Sequence, residues 1–191
     1  MGNADLEAEG LLVAFEEGVL TLTLDRPERR NAITYDMYDV LTANLVRAAG
    51  NEDIRCIVLA GTGSIFSAGH DVAGFARGLA LEVEEKPSFG FMRALSKCPA
   101  PVIASVNGDA VGIGATMLLH SDLVYAVPGA RLVYPFMNMG LLPEFASTHY
   151  VPRLLGHQRA MELFMLKGHL TPEDALAWGM INAIVPADAL A

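Results

Sequence analysis

Two apolar runs in this chain each end in glycine, and together they leave few folds open. They are "IRCIVLAG", residues 54–61, and "PVIASVNG", residues 101–108. Both are rich in Val, Ile and Leu with little polar alternation, the pattern of strands buried on both faces. Such strands need helices on either side, hence a largely parallel sheet with helical crossovers. The intervening sequence supplies them. "TYDMYDVLTANLVRAAG" repeats Met37, Leu41, Leu45 and Ala48 at helical spacing, with Thr34 as N-cap and Gly50 as terminator. "LLVAFEEGVLTLTLDRP" reads as two strands joined at Glu17-Gly18, the second carrying Leu20, Leu22 and Leu24 on one face and Thr21 and Thr23 on the other. Residues 75–97 read as weakly helical with a mobile part around "EVEEKPS". "ATMLLH" and "HQRAMELFML" read as helices, and "DLVYAV" and "INAIVP" as strands. "TPEDALAWG" opens a helix with Thr171 as N-cap, Pro172 at the first position and acids in the first turn. The expected class is α/β, in one domain over residues 1–191, since that length suits one sizeable core and not two.

Composition removes several functions. Apolar residues make up 52% and charged ones 18%, so the chain packs a core. A net charge of −9 argues against nucleic acid, which needs a basic face. Cys56 and Cys98 lack CxxC spacing and read as reduced thiols. The start "MGNADLEAEG" has no apolar leader, Gly2 lacks the Ser/Thr of a myristoylation signal, and no apolar run is long enough to span a membrane. The expectation is a soluble, cytoplasmic protein. His70, His120, His149, His157 and His169 are too dispersed for a zinc motif, so no metal is expected. "GTGSIF" starts like a dinucleotide fingerprint but has Phe66 at its sixth position and opens no helix. Phosphate-binding-loop and GxSxG motifs are absent from the sequence.

What remains are the two glycine-marked strand ends, "FSAGHD" (66–71) and "NGDAVGIGATM" (107–117). In a parallel sheet both fall at the carboxyl ends of strands, where ligands bind. The N–H groups of Gly112, Ile113 and Gly114 at a helix start would point outward, and a donor from Gly69-His70 could meet them at one oxygen. Spacing alone serves two readings equally: an oxyanion hole, or glycines that only permit tight turns and close packing. A third stretch, "MGLLPEFAS" (139–147), sets the single carboxylate Glu144 in apolar surroundings at a bend.

The segments "LDRPERRNAIT", "IVLAGTGSIFSAGHD", "PAPVIASVNGDAVGIGATM", "DLVYA" and "LTPEDALAWGMINAIVP" together resemble the enoyl-CoA hydratase/isomerase (crotonase) superfamily. The resemblance implies a spiral of ββα units, acyl-CoA thioester substrates with coenzyme A as part of the substrate and no separate cofactor, and homotrimers or dimers of trimers. It implies hole donors at the peptide N–H groups of His70 and Ile113, with Ala68, Gly69, Asp71 and Gly112 lining the acyl-CoA channel. Asp71 would anchor the hole's loop. The cluster Arg26, Arg29 and Arg30 is either a solvated face or a contact for CoA phosphates. A hydratase would carry acids at positions 116 and 136, which are Thr116 and Phe136 here. The stretch "YPFMNMGLLPEFASTHYVPRLLG" instead resembles the Δ3,Δ2-enoyl-CoA isomerase branch, which implies Glu144 as the proton shuttle, its carboxyl pKa raised by Phe136, Leu141, Leu142 or Phe145. His149 and Tyr150 follow closely and could reach the pocket, but read first as core or interface residues. Other crotonase-type chemistry stays open beside isomerisation: a hydratase with rearranged acids, a thioester hydrolase, or a silent acyl-CoA-binding subunit. Relatives continue past the equivalent of Val185-Pro186, so the C-terminal helical region is expected to be largely absent.

Overall fold

Leu20, Leu22 and Leu24 lie buried on one side of β2 (Val19–Leu24), while Thr21 and Thr23 on the other are half-buried. β2 pairs antiparallel with β1 (Leu11–Glu16) across the Glu17-Gly18 turn and parallel with β3 (Cys56–Gly61). The sheet continues in parallel through β5 (Val102–Val106), β7 (Leu123–Ala126) and β10 (Ala183–Ile184), giving six strands. The computed structural model describes residues 8–74, 78 and 81–190. Residues 1–7, on which the leader and myristoylation readings rest, and residues 75–77 and 79–80 at the start of the expected 75–97 helix lie outside them.

A second sheet, not anticipated from the sequence, holds β4 (Ile65–Ser67), β6 (Asp109–Val111), β8 (Leu132–Val133) and β9 (His169–Leu170). The first three are parallel and β9 is antiparallel to β8. The chain runs from the large sheet to the small one three times, as β3–β4, β5–β6 and β7–β8, and each pair precedes a helix. This is the crotonase-type spiral of ββα units.

The helix α1 (Tyr35–Ala49) matches its sequence pattern. Thr34 Oγ1 accepts the Met37 N–H at 3.2 Å, and Met37, Leu41, Leu45 and Ala48 are buried. The next two helices are shorter than expected. Pro87 starts α2 (Pro87–Ser96), and "EVEEKPS", read as mobile, contains a 3-10 turn at Val83–Glu85 closed by a Glu82/Glu85 capping box. "ATMLLH" supplies the end of a single helical turn, α3 (Ile113–Thr116), followed by a 3-10 turn at Met117–His120. A helix absent from the sequence reading, α4 (Ser147–Leu155), precedes α5 (His157–Glu162), which ends in a π-turn at Leu163–Lys167. α6 (Pro172–Ala177) is capped by Thr171 as expected, its hydroxyl accepting the Asp174 N–H. Tyr38, Phe66, Phe91 and Tyr134 are the largest fully buried side chains, in a continuous apolar cluster that draws on both sheets and α1. Among the described residues no helix is long and apolar enough to cross a membrane.

Candidate active site

The loop after β4 is stitched to the segment that follows the arginine cluster. Ala68 N–H donates to the Arg30 carbonyl at 2.8 Å, Ile33 N–H to Gly69 at 2.8 Å, and Asp71 N–H to Ile33 at 3.0 Å. Ile33 and His70 thus form a parallel bridge, and His70 turns its own N–H toward the opposite edge. Asn31, fully buried, organises the junction: its amide donates to the Thr62 and Ile65 carbonyls and its carbonyl oxygen accepts the Arg26 N–H. Ser67 Oγ donates to the Asn31 carbonyl and accepts the Gly69 N–H. Arg26 is committed to the same loop, its guanidinium donating to Asp71 Oδ2 at 2.9 Å and to the Ala32 carbonyl at 2.8 Å. Hydrogen bonding from Arg26 holds the Asp71 carboxyl below its ordinary range, and Asp71 Oδ1 also accepts the Ala73 N–H. Asp71 thus ties this loop to Arg26 through its side chain and to Ile33 through its backbone N–H. Arg29 is exposed at the end of the 3-10 turn Pro27–Arg29, close enough for its charge to reach Asp71.

The second strand end meets this loop backbone to backbone. A Cβ on Gly69 would lie 2.6 Å from the Val111 carbonyl oxygen and 3.7 Å from the Ile113 nitrogen. A Cβ on Gly114 would lie 2.9 Å from both Cβ and O of Ser67. Close approach is thus what these two glycines permit. The N–H of Gly112, expected to point outward, donates to the Val133 carbonyl because β6 pairs there with β8. Among the described residues nothing accepts the Ile113 N–H.

Ala68, Gly69, His70, Gly112, Ile113 and Glu144 line a single pocket of about 520 Å³. Asp71, Arg26 and Arg29 stand outside its wall; Lys86 is a cation within it. Tyr35, Tyr38, Phe136 and Leu141 make much of the remaining surface apolar or aromatic. Leu142, by contrast, is 86% exposed, and Phe145 stacks on His120 with ring centroids 3.9 Å apart, so neither lines the cavity. His149 is exposed and Tyr150 packs edge-on against His120, also outside the pocket.

Glu144 is held at both ends. The Ser147 N–H and Oγ both donate to its backbone carbonyl, at 3.0 and 2.6 Å, and start α4. Its Oε1 accepts from Thr116 Oγ1 at 2.5 Å, whereas Oε2 is buried without a hydrogen-bond partner among the described residues. Burial pushes the carboxyl pKa up to about 7, against the opposing pull of the Thr116 hydrogen bond. Tyr38 and Tyr134 are raised by burial and then by the Glu144 charge, so both remain neutral phenols near it. Burial lowers His70, whose Nδ1 lies 3.4 Å from the Tyr38 hydroxyl. Sequence reasoning passed over Thr116 as a partner, along with Tyr38 and Tyr134. Thr116 and Tyr38 lie 28 and 106 residues from Glu144 with no local motif to link them to it, and Tyr134, 10 residues away at the head of the same stretch, carries no signal of its own as a partner.

Comparison with known proteins bears on this geometry. The enoyl-CoA hydratase/isomerase family profile matches residues 14–191. The chain is 40% identical over 190 residues to 1,2-epoxyphenylacetyl-CoA isomerase of Escherichia coli (strain K12), covering 96% of this chain and 72% of that protein. It is 34% identical over 186 residues to enoyl-CoA delta isomerase 2 of Rattus norvegicus, covering 94% of this chain but 47% of the relative. Among solved structures, Pseudomonas aeruginosa OdaA matches with a TM-score of 0.89 at 43% identity, over 94% of this chain and 72% of that one.

Proposed function

Because this chain belongs to the enoyl-CoA hydratase/isomerase family, we propose that it moves a carbon–carbon double bond in an acyl-CoA thioester from Δ3 to Δ2. The thioester carbonyl accepts from the His70 and Ile113 peptide N–H groups. Glu144 removes a proton from C2, the C2–H electron pair moves into an enolate, and its charge collects on the carbonyl oxygen between the two donors. The same carboxyl returns the proton at C4, and the double bond is left between C2 and C3. No water is consumed. Ala68, Gly69 and Gly112 border the acyl-CoA channel, and Asp71 and Arg26 brace the loop that carries His70. Arg29 and Lys86 are cations that could meet CoA phosphates. We further propose a homotrimer or a dimer of trimers, to be tested by sedimentation.

Glu144 carries this reading. It is a carboxylate in the pocket, its pKa is pushed up to about 7, and by the family resemblance Thr116 and Phe136 stand where a hydratase would carry its acids. A group of that pKa can both take and return a proton near neutrality. Names of two relatives, an epoxyphenylacetyl-CoA isomerase and an enoyl-CoA delta isomerase, agree with chemistry that adds no water.

The test is single-turnover conversion of 3-enoyl-CoA esters by the wild type and by Glu144→Gln, which keeps shape and hydrogen bonding but removes the base. Binding should stay close to wild type and isomerisation should fall at least ~10²-fold. Equal rates would remove Glu144 from the mechanism. Oxygen incorporation from water would mark a hydratase, CoA release a hydrolase, and tight binding without turnover a silent subunit; each would overturn the isomerase reading.

A further inference from the structure

Thr116 is fully buried and carries one hydroxyl proton with two acceptors in view. The Ile113 carbonyl is 3.5 Å away and Glu144 Oε1 is 2.5 Å away. The carboxyl oxygen is by a full ångström the nearer acceptor, so the hydroxyl proton is directed to Glu144. That leaves the two carboxylate oxygens unequal: Oε1 is occupied, and Oε2 has no partner among the described residues.

Thr116 also belongs to the turn of helix that begins at Ile113, one of the two proposed donors to the thioester oxygen. It lies three residues on, ~4.5 Å along the axis. One rigid turn therefore holds a donor at its start and the anchor of the base at its end. A free Glu side chain would spread over many rotamers and lose the near-attack distance on which proton transfer from carbon depends.

We propose that Thr116 is the positioning residue for the base: its hydroxyl fixes Oε1 so that Oε2 alone takes the C2 proton and returns it at C4. This rests on Glu144 being the base. The bookkeeping is that of the isomerisation itself: the C2–H bond breaks, Oε2–H forms, the electron pair enters the enolate, and the same proton leaves Oε2 to make the C4–H bond. Thr116 neither gains nor loses a proton over the cycle.

The titratable groups around Glu144 are Tyr35 and Tyr38 from α1, His70 after β4, Lys86 ahead of α2 and Tyr134 beyond β8. All are unchanged in Thr116 variants, so a moved acid limb reports Glu144. Removing a hydrogen bond to the charged form raises the pKa.

Thr116→Val, nearly the same shape, should lower kcat on a 3-enoyl-CoA ester ~10–100-fold with KM within about threefold. The acid limb of its pH–rate profile should move to higher pH. Thr116→Ser should return both to near wild type. Should the Val variant unfold, Thr116→Ala carries the same expectation. In a Glu144→Gln background Thr116→Val should have no further effect on rate, because the base it positions is gone. If Thr116→Val keeps the wild-type kcat and acid limb while Glu144→Gln is inactive, the positioning role is refuted and the base stands. If Glu144→Gln is itself active, the base falls and this inference with it.

Discussion

Asn31 closes the "DRPERRN" segment, and its side chain has more of the local architecture attached to it than any of the three arginines beside it. It adopts φ of 54°, a left-handed conformation that Asn tolerates better than most residues, and all three of its side-chain hydrogen bonds are internal. Asn31→Ala would strand two carbonyls and one N–H in the interior. The expected cost is about 3–4 kcal/mol, near the upper end for a single substitution, and urea unfolding measures it. An unchanged midpoint would mean that water replaces all three bonds. The residue scale is also where the sequence was most uneven. Glu144 could be singled out because an acid between Leu-Leu-Pro and Phe-Ala is chemically out of place in a surface loop. Asn31 could not, since a polar residue after Arg-Arg looks solvated until its partners at 62 and 65 are folded against it. Thr116 was visible only as a missing acid; its bond to Glu144 spans 28 residues.

Two turns from different sheet crossings meet at the site, and their contact is decided by elements that the sequence displays unequally. The six-stranded sheet was legible because its longer strands carry four to six residues that either alternate cleanly, as in β2, or stay largely apolar. The four-stranded sheet was not, because its strands are two or three residues long and cannot show a period of two. α4 was hidden by its composition, with Ser, Thr and His in the first turn and Pro152 inside it. The glycines were read as either permissive or functional, and the packing shows close approach at 69 and 114. β4 and α3 touch through Gly114 against Ser67, whose hydroxyl also holds Asn31 and Gly69. Gly114→Val should therefore push α3 away from the His70 loop and separate the proposed donors. A displacement near 1 Å can cost ~10²-fold in rate, so turnover should fall on that scale while the protein stays soluble. Steady-state kinetics beside a thermal melt would show it. A collapse of the melt with no separate loss of rate would make the contact purely structural.

The whole molecule registers the Glu144 carboxyl through linkage between proton binding and unfolding. Its pKa rises from an ordinary 4.5 to about 7 in the native state, so the native protein binds that proton more tightly than the unfolded chain does. The sign follows directly: the stabilising contribution is full below about 4.5 and is lost as pH rises through about 7. Above that, the folded protein holds a charge that burial disfavours, at a cost of at most roughly 3–4 kcal/mol. Glu144→Gln removes the titration while keeping an acceptor for Thr116. Its stability relative to wild type should therefore climb between pH 4.5 and 7 and level off above. Other groups, including His70 and His120, whose pKa values burial lowers, titrate in both proteins and cancel in the difference. Because one apolar cluster draws on both sheets and α1, chemical denaturation at a series of pH values should read this as a shift of the main transition. A difference that stays flat with pH would mean the carboxyl is as well solvated folded as unfolded, and the pocket would lose its proton carrier. A rising difference would mean that the same burial that tunes Glu144 for proton transfer near neutrality lowers stability there, a trade expected of an active site and not of a residue at an ordinary bend.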